Sequence, residues 1–279
     1  EELQVKDKGG GRRSGEDQDP EPAKTGAQNS YKTKESKRKQ GALLPALEEE
    51  IAKKRQERVS GVHFTAEERF GAKYKEELMK MAWDRIGGTD EEKKKFFDEV
   101  IAAYPDVYWM EGCPAPTVKN KKVHFQLKPN AVPKARQPIP LSPYDDLRVE
   151  YHIEENLYEG KLRKIEPTKG EPLPEWATPV FIVDQDAKGL LGRLVCAYGL
   201  VNAAMENPAF PSADPQRAFD LAAGKEHHTV VDAIWGYTQF LLDQSTKKLL
   251  VICTRTGLYE WLRMPFGPAP APAEMQSFV

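Results

Sequence analysis

Asp232 closes the apolar run Thr229-Val230-Val231 and is followed by Ala233-Ile234-Trp235-Gly236-Tyr237. A carboxylate offers hard oxygen donors, but a lone aspartate at the end of a strand reads by itself as structural or turn-related. Arg193 opens a second apolar run, Leu194-Val195-Cys196. Its guanidinium is a forked donor suited to phosphate; in isolation it reads as a surface charge. Lys32, Lys34, Lys37, Arg38 and Lys39 form a basic cluster, either a solvated tail or a nucleic-acid or nuclear-import patch. Cys113, Cys196 and Cys253 are odd in number and widely spaced. They suggest neither a disulfide framework nor a zinc site and fit a reducing compartment.

The elements that must hold these residues are readable from pattern. A chain of 279 residues, 39% hydrophobic, is enough for one large domain or two small ones. Its 41 basic and 43 acidic side chains nearly cancel, so any nucleic-acid affinity must come from local patches. Residues 1–42 are poor in large apolar side chains and are expected to form a disordered polar tail. Residues 43–105 are expected to be helical. Leu43 to Val59 has Glu48–Glu50 ahead of Lys53–Arg55, which favours i to i+4 ion pairs. Thr65 with Glu68 predicts a capping box before a helix to about Ile86, stopped by Gly87 and Gly88. Thr89 with Glu92 repeats it before a helix that places Phe96, Phe97, Val100, Ile101 and Tyr104 toward one side and ends at Pro105.

Residues 106–170 read as a linker and an entry to the last unit, 171–279. Val123 to Leu127 alternates like a strand, and proline-rich sequence follows to Pro140. Ser142-Pro143 opens a helix through Leu147, Tyr151 and Leu157 to Gly160. No apolar run approaches a membrane span, and no charged-then-apolar leader opens the chain, so an intracellular, cytoplasmic or nuclear, non-secreted protein is expected. Glu1 in place of Met hints at a fragment or processed product.

Three further blocks are more specific. Trp176-Ala177-Thr178-Pro179-Val180-Phe181-Ile182-Val183 reads as a buried strand leading to a turn. Arg193, Tyr198 and Asn202 follow that turn. Gly257-Leu258-Tyr259-Glu260-Trp261-Leu262-Arg263-Met264-Pro265-Phe266-Gly267 follows a hairpin expected from Lys248 to Thr254. Together with the Asp232–Gln239 block, capped upstream by a short helix at Asp214-Pro215, they resemble the reverse transcriptase domain of gypsy-type LTR retrotransposon Pol polyproteins. The resemblance covers roughly residues 100 to 279, ending before the family's Tyr-x-Asp-Asp segment.

The resemblance implies an α+β fold, the fingers and a partial palm of a right-hand polymerase. It implies that Asp232 is a catalytic, metal-binding aspartate, because two Mg²⁺ ions must bridge the attacking hydroxyl and the triphosphate. Mg²⁺ is then expected only where residues beyond these complete the site. Arg193, Ala233, Tyr237, Phe266 and Gly267 are the nucleotide-binding residues it implies, and an RNA template and DNA primer are the implied partners.

The sequence also departs from the family. The turn after Val183 carries Asp184, Gln185 and Asp186, with Lys188 its one basic residue, where the family has several lysines. An Asp and an Arg of the family are Ala197 and Gly199, and an Asn is Pro270. Two functions follow. One is part of an RNA-directed DNA polymerase, inactive as written because further catalytic aspartates are absent. The other is a non-catalytic, retroelement-derived module with assembly partners on residues 43–105.

Overall fold

The computed structural model describes residues 34–279 except 62, 64, 66–67, 69–70, 105–106, 111–112, 114–115, 167–171, 209–213, 226–231 and 279, with the side chains of 34–38 and 215 also left aside. The architecture is α+β. Strands β2 (Leu162–Ile165), β3 (Thr178–Val183), β4 (Arg193–Cys196), β6 (Ile252–Thr254) and β7 (Gly257–Trp261) form one sheet in the order β2-β7-β6-β3-β4. Strands β1 (Lys122–Val123) and β5 (Leu241–Leu242) pair separately and in parallel.

The β3–β4 hairpin pairs Val183 with Arg193, so the register puts Arg193 at the mouth of the turn. The β6–β7 hairpin closes at Gly257, and β7 then pairs with β2. That last register sets Arg163 opposite Glu260, and the two are ion-paired. Glu260 is buried, so it needs this cation. The hairpin expected at Lys248 begins later, because Lys248 lies within a short helix, α7 (Gln244–Leu249), capped by Asp243.

Helix α4 (Pro143–Tyr158) forms where Ser142-Pro143 predicts it: Ser142 accepts the Asp145 amide and Pro143 takes the first turn. It lays Val149 and Ile153 on the sheet, in a core with Phe125, Trp176, Val180 and Trp261. Helices α2 (Ala72–Trp83) and α3 (Asp90–Phe96), with a π turn at Phe97–Ile101, pack a second core on Tyr74, Leu78 and Phe97. The Thr89–Glu92 capping box is complete. Thr65 and Glu68 exchange the same bonds, yet α2 starts only at Ala72.

Helix α1 (Lys34–Ser60) corrects the reading of the tail. It begins inside the segment expected to be disordered and continues through Pro45, forgoing one backbone bond there. Residues 1–33, with Lys32 of the basic cluster, lie outside the described residues. Leu47 and Ile51 are buried against Tyr144, Tyr151 and Leu191, each worth about 1.5–3 kcal/mol. Arg55 grips Glu154, with Nη2 at 2.6 Å, and Arg58 pairs with Glu154 and Glu155. No helix among the described residues is long and apolar enough to cross a membrane.

Helices α5 (Gly199–Ala204), α6 (Pro215–Ala222) and α8 (Ala271–Gln276) complete the chain. Asp214 caps α6 by accepting the Gln216 amide. The prolines around Ala271 do not abolish α8. Pro270 is its N-cap and Pro272 falls in its first turn, where a missing N–H costs nothing.

Candidate functional site

Between β3 and β4 the chain forms a 3₁₀ turn, Asp186–Leu191, broken at Gly189. Arg148 of α4 fixes this turn. Its guanidinium pairs with Asp145, donates to Asp184 Oδ1 at 2.6 Å and to the Leu190 carbonyl at 3.2 Å. Arg148 is 1% exposed, and a side chain on Gly192 would come within 3.0 Å of Nη1 and 2.8 Å of the Val183 carbonyl. With φ at +60°, Gly192 is the one residue type that admits this approach. The acidic character of the turn is thus partly taken up internally, by a residue 36 positions upstream.

Arg193 is exposed, with Cζ 5.1 Å from the centroid of Phe266. Phe266, itself half exposed, meets Tyr237 edge to face at 4.9 Å. Tyr237 lies on a 3₁₀ turn, Gly236–Gln239. Gly267, at φ +108°, lets the chain pass Tyr198, where a Cβ would sit 3.2 Å from Cδ2. Asn202 closes the arrangement, donating to the Gly267 carbonyl at 3.1 Å and accepting the Ala269 amide at 2.9 Å. Four nucleotide-site residues named from the sequence therefore meet: Arg193, Tyr237, Phe266 and Gly267. Ala233 is exposed, its Cβ 3.8 Å from where a Cβ on Gly236 would lie.

Among the described residues, Asp232 makes no bond to this group. It is exposed, and the apolar run before it, Thr229–Val231, lies outside the described residues. Among the described residues no group of three or more His, Cys, Asp or Glu could hold a metal ion. One carboxylate does not fit a magnesium pair, which needs several oxygen ligands.

Arg193 and Phe266 border a cleft of about 670 Å³ that pattern reading did not foresee. Trp235, Trp261, His152, Lys161, Glu155 and Glu159 are among the residues that line it. Lys161 is bound to Glu159 at 2.6 Å and lies 3.7 Å from the Trp235 centroid. Burial pulls its pKa down. Burial likewise lowers that of His152, against its bonds to the Leu191 and Gly192 backbone. Glu155 is pushed up by burial, against the Arg58 charge beside it. Trp235 holds φ +50°, costly for a bulky residue, and its ring is 4.5 Å from that of Trp109.

No protein-family model matches the chain. It is similar to the enzymatic polyprotein of cauliflower mosaic virus (strain D/H), 32% identical over 142 residues, half of this chain and 20% of that protein. The retrovirus-related Pol polyprotein from transposon 297 of Drosophila melanogaster is 24% identical over 245 residues, 88% of this chain and 21% of that protein. A Caenorhabditis elegans protein named as uncharacterized, K02A2.6, is 30% identical over 163 residues, 57% of this chain and 12% of that protein. The chain thus spans about a fifth or less of these relatives' length. The first two are retroelement polyproteins, and the similarity supports a retroelement polyprotein origin.

Proposed function

We propose that the chain carries the fingers and first part of the palm of a gypsy-type reverse transcriptase and, as residues 1–279, binds nucleotide and template–primer without extending the primer. The observation that supports this reading is the meeting of Arg193, Tyr237 and the adjacent Phe266 and Gly267, from three separate segments, around one aromatic pair. Arg193 takes phosphate, Tyr237 and Phe266 form an apolar floor, and Gly267 and Ala233 keep it open. Asp232 would supply one metal ligand of a site completed elsewhere. Polymer extension is not expected from a single carboxylate. The engagement of Asp184 by Arg148 and the residues Ala197 and Gly199 favour a second reading, a non-catalytic interaction module.

The test combines binding of an RNA–DNA hybrid across a salt series with primer extension in Mg²⁺. Binding that weakens as salt rises is expected, because phosphate contacts release counterions, together with no extension product. No binding at low salt would leave only the module reading. Extension that disappears in Asp232→Ala would overturn the inactivity.

A further inference from the structure

We infer that Lys54 of α1 supplies a cation that the β3–β4 turn lacks, making α1 part of an anion-binding cleft for the phosphates of a nucleoside triphosphate. This rests on the nucleotide-binding reading above and adds to it a residue from outside the fingers and palm.

The spacing of α1 carries the first step. Leu47, Ile51, Lys54 and Arg58 are four, three and four residues apart, which places them on one stripe of a helix. Leu47 and Ile51 are fully buried against α4 and the 3₁₀ turn, so the same stripe brings Lys54 to the cleft wall. Lys53 faces the other way: its side chain is 76% exposed and pairs with Glu57.

Charge pairing carries the second step. Lys54, Lys161, Lys188 and Arg193 line the cleft against Glu50, Glu155 and Glu159. Glu159 is taken by Lys161, and Glu155 by Arg58. Among the described residues Lys54, Lys188 and Arg193 have no carboxylate partner, which leaves three cations facing Glu50 alone. A concave site with surplus cations and with the rings of Trp235, Trp261 and Phe266 in its wall suits a polyphosphate joined to a flat base. Its volume of about 670 Å³ is that of a small-molecule pocket.

Calorimetric titration of the full chain with inorganic tripolyphosphate, a nucleoside triphosphate and a duplex oligonucleotide without triphosphate tests it. Lys54→Ala is expected to weaken both triphosphates about tenfold, Lys54→Arg to restore them, and Lys53→Ala to change nothing, with thermal midpoints unmoved. If Arg193→Ala weakens binding and Lys54→Ala does not, the role of Lys54 is wrong while the nucleotide reading stands. If the unaltered chain binds neither triphosphate, both fail. If Lys54→Ala weakens only the oligonucleotide, the cleft serves a nucleic-acid backbone and the inference is overturned.

Discussion

Arg148 joins three parts of the chain through one guanidinium, and its two carboxylate partners differ in what they are worth. Asp145 is buried beside it, whereas the Asp184 side chain is 80% exposed and its pair is screened by water. Arg148→Ala therefore leaves a buried carboxylate uncompensated and is expected to cost about 3–5 kcal/mol. Asp184→Asn removes the exposed arm and is expected to cost about 0–1 kcal/mol. Chemical denaturation of both variants decides the matter; equal losses would mean that the buried pair does not dominate. In the sequence Asp184 is simply an acid in a turn that ought to be basic. Nothing in the spacing of Arg148 and Asp184 announces their pairing, because it depends on α4 crossing the end of β3 and on Gly192 admitting the side chain. Arg193, Tyr237, Phe266 and Gly267 were nameable because adjacent residues carried a family pattern. The cleft beside them was not, since His152, Lys161 and Trp235 lie on elements with no local signal of a shared wall.

At the scale of elements, what was legible is what is decided locally. Caps at Ser142, Thr89 and Asp214 are satisfied within three residues, and each announces its helix. The β3–β4 and β6–β7 hairpins follow from largely apolar runs on either side of a turn. Features set by distant packing have no local signal: Leu47 and Ile51 dock α1 on Tyr144 and Tyr151 of α4, and the Thr65–Glu68 pair stands ahead of Ala72, where α2 starts. The short helix α7 also carries a local signal, its Asp243 cap. Asp243 accepts the Thr246 amide at 2.8 Å and the His124 ring nitrogen is 2.7 Å from its other oxygen. Burial opposes ionisation of Asp243, but bonds from Thr246, His124 and Ser245 outweigh it and hold the carboxyl at about 2. A carboxyl depressed in the folded state contributes stability that is present above its unfolded value, near 3.8, and lost as pH falls through about 2. Stability measured between pH 5 and pH 2 should thus fall more steeply in the unaltered protein than in Asp243→Asn. Parallel curves would assign the loss to other carboxyls.

At the scale of the whole molecule, the main core does not respect the boundary expected at residue 171. It draws Val123 and Phe125 from the β1 region, Val149 and Ile153 from α4, and Leu162 from β2, all upstream of that point. Strand β2 also covers one edge of β7 and supplies Arg163 to the buried Glu260. A chain limited to 171–279 would expose the edge of β7, strand Glu260 without a cation and remove five side chains from the core. It is expected not to fold cooperatively, since each such side chain is worth about 1.5–3 kcal/mol and a whole domain only about 5–15. A chain of 116–279 keeps these contacts and loses α1, α2 and α3 with their own packing. It is expected to unfold cooperatively but at lower denaturant than the full chain, because Tyr151 and Leu191 lose the cover of Leu47 and Ile51. Limited proteolysis of the full chain should then yield a resistant product that begins upstream of β1. A resistant product starting near residue 171 would show that residues 171–279 hold together without α4 and β2, and that the sheet tolerates an open β7 edge.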